Sequence, residues 1–345
     1  MNEMMKLRKV ELNNYWDFTG KYTIDFRIKP DKNITYIYGQ CLSGTDTLFK
    51  GIRWCLTGSG NGKYYTPWSM RNNELNVVDY PEAYETAPVK ACLCFEKKGE
   101  TIRVGRTAKP VNYVEMSASR VKNHCISVVK WRRGERQNIR DPKAYLQEHF
   151  NLDALELFHV DHTLISSFGK QGVRKNHVKT ALQSIDHESS EEKPPVKRLV
   201  ERINKHFLTL YYGKGDCLVV NITKGYDITL SSSGKRMKWD SLSIGEKAGV
   251  VFSFLIAFWE MSSWDQPLIL FEPFTHLTDQ CLSNVAELLK EVSLRRQMIL
   301  FSKRTEIVVP VLRDRVCSFV GMYYMISSEA EGADRYKNIR IDKIW

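Results

Sequence analysis

The stretch Tyr36-Ile-Tyr-Gly-Gln-Cys-Leu-Ser-Gly-Thr-Asp-Thr47 decides the fold of this chain. Gly39 and Gly44 have the spacing of a phosphate-binding loop, whose pattern is G-x-x-x-x-G-K-[S/T]. An apolar strand, 34–38, precedes the loop, and a helix-like run, 47–56, follows it. A strand, a loop and a helix in this order predict a structural unit of the phosphate-binding type.

The residues that carry the chemistry of such a loop are replaced. Thr45 stands where the lysine belongs, and Asp46 stands where the magnesium-binding hydroxyl belongs. Thr45 removes one positive charge near the phosphates, and Asp46 adds one negative charge. Each change at about 4 Å is worth roughly 4 kcal/mol at an effective dielectric near 20. The two changes can therefore erase micromolar binding, which totals only about 8 kcal/mol. Lys50 lies roughly 140° around the helix from position 45, so we do not expect it to replace the lysine. The sequence therefore predicts a degenerate nucleotide loop, formed by Gly39, Gly44, Thr45, Asp46 and Thr47.

Bulk composition indicates a cytoplasmic or nuclear protein without a membrane segment. The chain has 345 residues, of which 43% are hydrophobic, and its mean hydropathy is −0.37. No apolar run is long enough to cross a bilayer, and the first residues lack the pattern of a signal peptide. The eight cysteines include no C-x-x-C pair, so reduced thiols are favoured over a disulfide framework or a zinc site.

Positive charge is concentrated in the first half of the chain. Residues 1–185 contain 29 Lys and Arg against 19 Asp and Glu, a net +10, and residues 186–345 contain 22 against 21, a net +1. Such asymmetry is typical of a surface that binds nucleic acid, DNA above all, although a generic basic surface remains the alternative. The densest cluster of basic and aromatic residues is Lys130, Trp131, Arg132, Arg133 and Arg136. This cluster either contacts a DNA backbone or is a solvated hairpin tip.

Several further motifs, taken in order, resemble the ATPase head of the SMC and double-strand-break-repair class. The resemblance is closest to the P-loop family that includes the DNA sulfur-modification ATPase. It rests on Ile37-Tyr-Gly39 with Gly44, on Leu48-Phe-Lys-Gly-Ile-Arg-Trp-Cys-Leu-Thr-Gly58, on Leu242-Ser-Ile-Gly-Glu-Lys247 and on Pro267-Leu-Ile-Leu-Phe-Glu-Pro-Phe-Thr-His-Leu277. The resemblance implies an α/β fold of the ABC-type ATPase head with two lobes.

The predicted lobes are separated by a short linker. Residues 1–185 form a β-rich lobe with the degenerate loop, and residues 196–345 form an α/β lobe with the signature helix. In the family a long coiled coil separates the two halves. Here the polar, acidic stretch 186–195, which ends in two prolines, takes its place. We therefore expect a head without a coiled coil.

Other catalytic positions of the family are also replaced. The strand that should end in Asp-Glu ends in Phe271 and Glu272, and phenylalanine cannot hold a magnesium shell. Glu272 matches the family's catalytic base, but a base without a metal has little to act on, so a strand-end remnant is favoured. Ser302 and Lys303 occupy the positions of the switch threonine and histidine, and no glutamine lies in 160–163, near the expected Q-loop.

The signature motif, in contrast, is nearly complete. Residues 242–247 depart from the family pattern only at Ile244, where glycine is usual. The resemblance implies that this motif crosses a dimer interface and contacts the γ-phosphate bound by the partner. The residues predicted to act there are Ser243, Gly245, Glu246 and Lys247. An ordinary capping box, with Ser243 as N-cap and Glu246 three residues later, explains the same residues equally well.

The preserved signature and the degenerate loop together predict a pseudo-ATPase. Such a head would bind DNA, an intact homologous head or a second copy of itself. No cofactor of its own is expected, and ATP with magnesium is expected only at an interface shared with a partner.

Two alternatives remain open. In one, Asp46 and Glu272 form a non-standard metal site for slow hydrolysis, since carboxylates suit magnesium. In the other, the chain is purely a structural interaction module. A separate metal site is not predicted, because His159-x-x-His162 lacks a helical i, i+4 pair and a nearby cysteine.

Overall fold

The computed structural model describes residues 4–15, 18–26, 33–39, 44–58, 89–108, 124–150, 152, 162–183, 185, 194–211, 218–262, 266–302, 320–329 and 338–343. These residues fall into two compact units, each discontinuous in sequence. Unit 1 comprises Met1–Lys29, Thr35–Leu152 and Met322–Trp345, and unit 2 comprises Pro30–Ile34 and Asp153–Gly321. The predicted lobes 1–185 and 196–345 are continuous stretches, so that division stays a prediction.

Unit 1 is built on a six-stranded antiparallel sheet. In chain order the first strands are β1 (Lys6–Tyr15), β2 (Phe18–Asp25) and β3 (Ile34–Gly39), and helix α1 (Thr45–Thr57) follows β3. The chain continues through β4 (Val89–Lys97), β5 (Glu100–Ala108), β6 (His124–Arg132) and β7 (Glu135–Asn138). The strand order of the sheet is β2-β1-β4-β5-β6-β7. Each connection from β4 to β7 pairs strands that are adjacent in sequence, as in a meander.

Alternation of side chains gives this sheet one apolar face and one polar face. Leu93, Val104 and Val128 are buried, and they lie on one side because side chains alternate along a strand. Helix α1 covers that side: the Cys55 thiol is 3.4 Å from the carbonyl oxygens of Ala91 and Val104. The neighbouring positions on β4, β5 and β6, which include Arg103 and Ser127, face the other way.

The C-terminus of α1 is held by a buried arginine. Arg106 Nε donates to the carbonyl oxygen of Cys55 at 3.1 Å, and its Nη2 lies 3.4 Å from the carbonyl oxygen of Leu56. Gly58 then ends the helix with φ 74° and its N–H bonds to Trp54 O. A positive charge at the last carbonyls complements the helix dipole.

Among the described residues, the rest of unit 1 comprises one helix and one antiparallel pair of strands. Helix α2 (Pro142–His149) starts at Asp141, whose carboxylate accepts from the backbone N–H groups of Lys143 and Ala144. Near the C-terminus of the chain, β13 (Val320–Glu329) pairs with β14 (Asn338–Lys343). β13 begins in unit 2, and its residues from Met322 onward belong to unit 1.

Unit 2 combines helices with two groups of strands. Its helices are α3 (His162–Gly169), α4 (Gln171–Gln183), α5 (Pro195–Leu210), α6 (Ile244–Met261) and α7 (Asp279–Ser293). Strands β8 (Leu218–Ile222), β9 (Ile228–Ser232) and β10 (Lys235–Met237) form an antiparallel sheet. Strands β11 (Leu268–Phe271) and β12 (Met298–Ser302) are parallel and are joined through α7. This β-α-β arrangement makes the unit an α/β structure.

Helix α6 is the centre of unit 2. Nearly all of its residues are buried, which explains why its sequence is apolar around the whole circumference rather than on one stripe. Helices α3 and α4, which precede the predicted linker, belong to the same unit: Arg174 on α4 forms a buried ion pair with Asp227 at 2.8 Å. Phe168 on α3 stacks on Trp239.

The element order agrees with the predicted β-rich lobe followed by an α/β lobe with a signature helix. Helix α4 ends at Gln183 and α5 begins at Pro195, so the intervening residues are too few for a coiled-coil rod. Residues 186–193 of the linker lie outside the described residues. No helix in the described part of the chain is both long and apolar enough to span a bilayer.

Candidate functional site

The degenerate loop lies between β3 and α1 in unit 1. Gly39 is the last residue of β3, and Gly44 is the N-cap of α1 with φ 90°, a conformation that favours glycine. The carbonyl oxygen of Gly44 accepts from Leu48 N at 2.8 Å. Residues 40–43 lie outside the described residues. The structure therefore confirms the strand and helix that flank the loop.

The first turn of α1 differs in one respect from the sequence argument. Thr45 and Thr47 are buried, but Asp46 forms an i, i+4 ion pair with Lys50. From the sequence alone, Asp46 is expected to add a negative charge near the phosphates. The ion pair with Lys50 offsets that charge. Lys50 is also held by Asp46 on the helix, so it is not displayed as a free ammonium in place of the missing lysine.

At the end of β11, the position of the metal-binding aspartate belongs to the hydrophobic core. Phe271 is 4% exposed, and its ring centroid lies 6.2 Å from that of Phe301 on β12. A phenyl ring has no lone pair for a cation, and replacing it with a carboxylate would bury a charge among apolar side chains.

Glu272 adopts an unusual backbone conformation immediately after that strand. Its φ is 50°, which is uncommon for a residue with a side chain and occurs often at functional sites. Its N–H donates to Phe301 O at 2.8 Å, and its Oε2 accepts from Thr275 Oγ1 at 3.2 Å. The carboxylate thus binds the turn that follows β11, and the role of Glu272 stays a prediction.

The other catalytic positions of the cis site are only partly described. Ser302 is fully buried at the end of β12, while Lys303 lies outside the described residues. In the expected Q-loop region, Val160 and Asp161 lie outside them as well, and His162 begins α3.

The signature residues form a complete capping box at the start of α6. The backbone N–H and the Oγ of Ser243 donate to Glu246 Oε2 at 2.8 and 2.7 Å, and Glu246 N donates to Ser243 Oγ at 3.2 Å. Ser243 and Ile244 are exposed, the latter by 45%, and Glu246 and Lys247 are half-buried. Because Glu246 already stands at the positive end of the helix dipole, an anion that approaches there must compete with it.

Tyr211 fixes this first turn from behind. Its hydroxyl donates to Gly245 O at 2.5 Å, and a Cβ added to Gly249 would lie 2.5 Å from its Cε2. Burial raises the pKa of Tyr211, with a further contribution from Cys281, so the phenol stays a donor at neutral pH. Sequence reasoning missed this residue, although the pair of glycines four residues apart on α6 is a visible signal of close packing.

The predicted basic cluster is divided between two faces of the β6–β7 hairpin. Lys130 and Arg132 lie 3.0 and 3.6 Å from the carboxylate of Glu100. Trp131 and Arg136, directly paired across the hairpin, line a cavity on the other face. Arg133 lies in the turn with φ 51°. The five side chains do not form one surface.

The cavity on the polar face of the sheet contains residues that sequence reasoning did not select. Arg103 Nε lies 2.8 Å from the Cys92 thiol. The hydrogen bond with Cys94 lowers the pKa of Cys92 to about 7; burial opposes this shift and Arg103 reinforces it. The signal for this cavity was the alternation of polar residues along β4 and β5.

The residues present do not fit a magnesium–ATP complex of the usual kind. Thr45 supplies no charge, Lys50 is bound to Asp46, and Phe271 offers no ligand. No group of three or more His, Cys, Asp or Glu side chains that could hold a metal occurs among the described residues.

Comparison with known proteins identifies the fold. No protein-family model matches the chain, and no curated protein matches it. Many solved structures match, and three that match over nearly their whole length are SMC heads. A crystal structure of an Smc head bound to the C-terminal winged-helix domain of ScpA has a TM-score of 0.64 at 16% identity, covering 98% of both chains.

The other two structures are an SMC head from Thermotoga maritima and an Smc head with an extended coiled coil bound to the C-terminal domain of ScpA from Pyrococcus furiosus. The first has a TM-score of 0.53 at 19% identity and covers 99% of both chains. The second has a TM-score of 0.57 at 14% identity and covers 99% of this chain and 96% of the other. The chain therefore has the fold of an SMC ATPase head, which confirms the predicted fold class.

Proposed function

We propose that this chain is a pseudo-ATPase head that acts as a DNA- or partner-binding regulatory subunit. It would not hydrolyse ATP at its own site, and its signature motif would complete the nucleotide site of an intact homologous head. The observation that carries the proposal is Phe271, which is packed against Phe301 where the fold's ATPases need a metal-binding carboxylate.

The contrast with the signature motif supports the regulatory part of the proposal. Ser243 and Ile244 are exposed at the start of α6, where backbone N–H groups and the helix dipole would favour an anion that displaces the Glu246 carboxylate. An exposed isoleucine beside this helix terminus suits an interface that buries it. The SMC heads with the same fold bind ScpA, so a protein partner is consistent with this fold.

Nucleotide binding by the isolated chain tests whether its own site is inactive. Isothermal titration with Mg-ATP should give no binding at micromolar concentrations. Micromolar affinity of the monomer would contradict the proposal. Metal-dependent phosphate release that is abolished by Glu272→Gln would instead support the slow ATPase with Asp46 and Glu272.

A charge at position 243 tests whether the signature motif completes the nucleotide site of a partner. Asp and Asn both replace Ser as helix N-caps, but only Asp places a negative charge next to the partner's γ-phosphate. In a reconstituted pair with an intact head, Ser243→Asp should reduce the partner's hydrolysis at least about tenfold, while Ser243→Asn should retain most of it. Equal rates in both variants would remove the trans-site from the proposal.

A further inference from the structure

The polar face of the six-stranded sheet carries an elongated cavity of about 310 Å³. This volume is at the lower end of the roughly 300–1,000 Å³ typical of ligand pockets. Its lining includes Lys90, Arg103, Gly105, Ser127, Trp131 and Arg136. The residues of the degenerate loop that the structure describes do not line it.

Strand registers show that the cavity runs obliquely across β4, β5, β6 and β7. Lys90 on β4 is level with Thr107 and Cys125, whereas Arg136 on β7 is level with Trp131. The two levels are six residue steps apart on β6, which corresponds to roughly 20 Å along the strand. Lys90 and Arg136 therefore mark opposite ends of a groove, and a groove suits a polymer better than a compact ligand.

The floor of the groove is open because its central residue is a glycine. Gly105 lies on β5 between Cys92 and Ser127, and a Cβ there would lie 3.0 Å from Ser127 Oγ. Its φ is not in the left-handed region, so backbone conformation does not require glycine. What the glycine provides is space in front of the sheet.

The charges along the groove are positive and partly uncompensated. Arg103 forms an ion pair with the neighbouring carboxylate of Glu11 at 2.9 Å. Arg103 also contacts the Cys92 thiol. Lys90 and Arg136 are exposed and form no ion pair with any of the residues that the structure describes. The acidic residue of the hairpin, Glu135, is paired in register with Arg132, on the opposite face.

We propose that this groove is a subsite for single-stranded nucleic acid, in which a base stacks on Trp131 and phosphates lie against Lys90 and Arg136. A positively charged groove with an aromatic platform is the arrangement by which proteins bind single strands without reading their sequence. The proposal deepens the nucleic-acid part of the proposed function and rests on it. It assigns that binding to the sheet face rather than to the whole basic hairpin.

Fluorescence anisotropy with a short labelled oligothymidylate, its RNA counterpart and a duplex of the same length tests the subsite. Trp131→Ala should weaken binding of the single strands about tenfold. Arg136→Gln should weaken it and reduce the slope of log K against log salt by about 0.7, the value for one phosphate contact on a single strand. Gly105→Val should fill the groove and weaken binding by a similar factor.

Arg132→Gln is the matched control for Arg136→Gln. It also removes one arginine charge from the β6–β7 hairpin, but the Arg132 side chain lies on the opposite face of the sheet. It should bind as the unaltered protein does, and urea unfolding of each variant verifies its fold.

The outcomes separate the subsite from the broader proposal. Unchanged binding in Trp131→Ala and Gly105→Val, or an equal loss in Arg132→Gln, would overturn the subsite while nucleic-acid binding itself stood. Binding to the duplex alone, with the groove variants unaffected, would have the same meaning. No binding to any nucleic acid would overturn both, and the Ser243 experiment would be unaffected.

Discussion

At the residue scale, the effect of a replaced side chain depends on the residues that it contacts. Phe271 stands where the resemblance places a metal-binding aspartate, and it is a core residue that packs on Phe301. Asp46 adds a carboxylate to the first turn of α1, but its pairing with Lys50 offsets the charge. Local partners therefore decide what each replacement does.

Gly58 gives a residue-scale prediction. A Cβ at this position would lie 2.6 Å from Arg106 Nη1, and φ is 74°, so Gly58→Ala should lower the free energy of unfolding by about 2–3 kcal/mol. Gly99→Ala is the control, because φ is 72° with nothing within 4 Å. It should lose only about 1 kcal/mol. Equal losses in urea unfolding would show that Arg106 moves without penalty.

At the element scale, α6 owes its position to close contact with Tyr211. The helix has glycines at 245 and 249 on the side that meets this ring. Glycine inside a helix lowers stability by about 1 kcal/mol relative to alanine, so the contact must offset that loss. The packing of α5 against α6 thus explains the glycines of the signature helix.

A double-mutant cycle tests this packing. Gly249→Ala alone should destabilise the protein by about 1–3 kcal/mol, because its Cβ overlaps the Tyr211 ring. In a Tyr211→Ala background the same change should stabilise it by about 1 kcal/mol, since only helix propensity remains. Chemical unfolding of the four proteins measures both effects, and an unchanged sign would refute the packing argument.

A buried acid joins the same two helices. Glu260 on α6, with a 3% exposed side chain, lies 2.8 Å from His206 Nε2 and 3.2 Å from Arg202 on α5. Burial alone would raise the pKa of Glu260, but the His206 hydrogen bond and the nearby charges outweigh it, so the pKa is lowered. The ionised carboxylate is therefore part of the folded structure.

Glu260→Gln should lower the free energy of unfolding at neutral pH by about 2 kcal/mol, less than the ~3–5 kcal/mol for fully buried pairs. Because the folded pKa is depressed, this advantage is complete above the unfolded pKa of about 4.3 and decreases as pH falls towards the folded pKa. Urea unfolding at neutral and acidic pH measures it. Glu291→Gln, which removes the exposed partner of Lys205, should lose under about 1 kcal/mol at either pH.

At the scale of the whole molecule, charge asymmetry is the dominant property. The first 185 residues carry a net +10 of the total +11. Long-range attraction of this kind increases association with polyanions and decreases with ionic strength. It bears on partners rather than on the fold.

This asymmetry predicts salt-dependent association with duplex DNA. The slope of log K against log salt should be near −0.9 for each phosphate that the protein neutralises. Anisotropy measurements with one labelled duplex across a salt series give that slope. Failure to retain DNA at low salt would favour the purely structural module instead.

The sequence by itself determined the class of fold and the chemical gaps in the cis site. The glycine spacing at Gly39 and Gly44, the signature at 242–247 and the apolar strand ending at Phe271 are local patterns, and local patterns follow from backbone and side-chain periodicity. These patterns were sufficient to predict the fold class, whereas the lobe boundaries and the pseudo-ATPase function stay predictions.

Only the tertiary structure decided which side chains share a surface. Lys130 and Trp131 are neighbours in sequence but face opposite sides of β6, whereas Lys90 and Arg136 line one groove although 46 positions separate them. The physical reason is that strand pairing brings distant segments together, while alternation separates adjacent residues. The pairing of Glu260 with His206 likewise joins two helices and depends on a distance that the sequence does not contain.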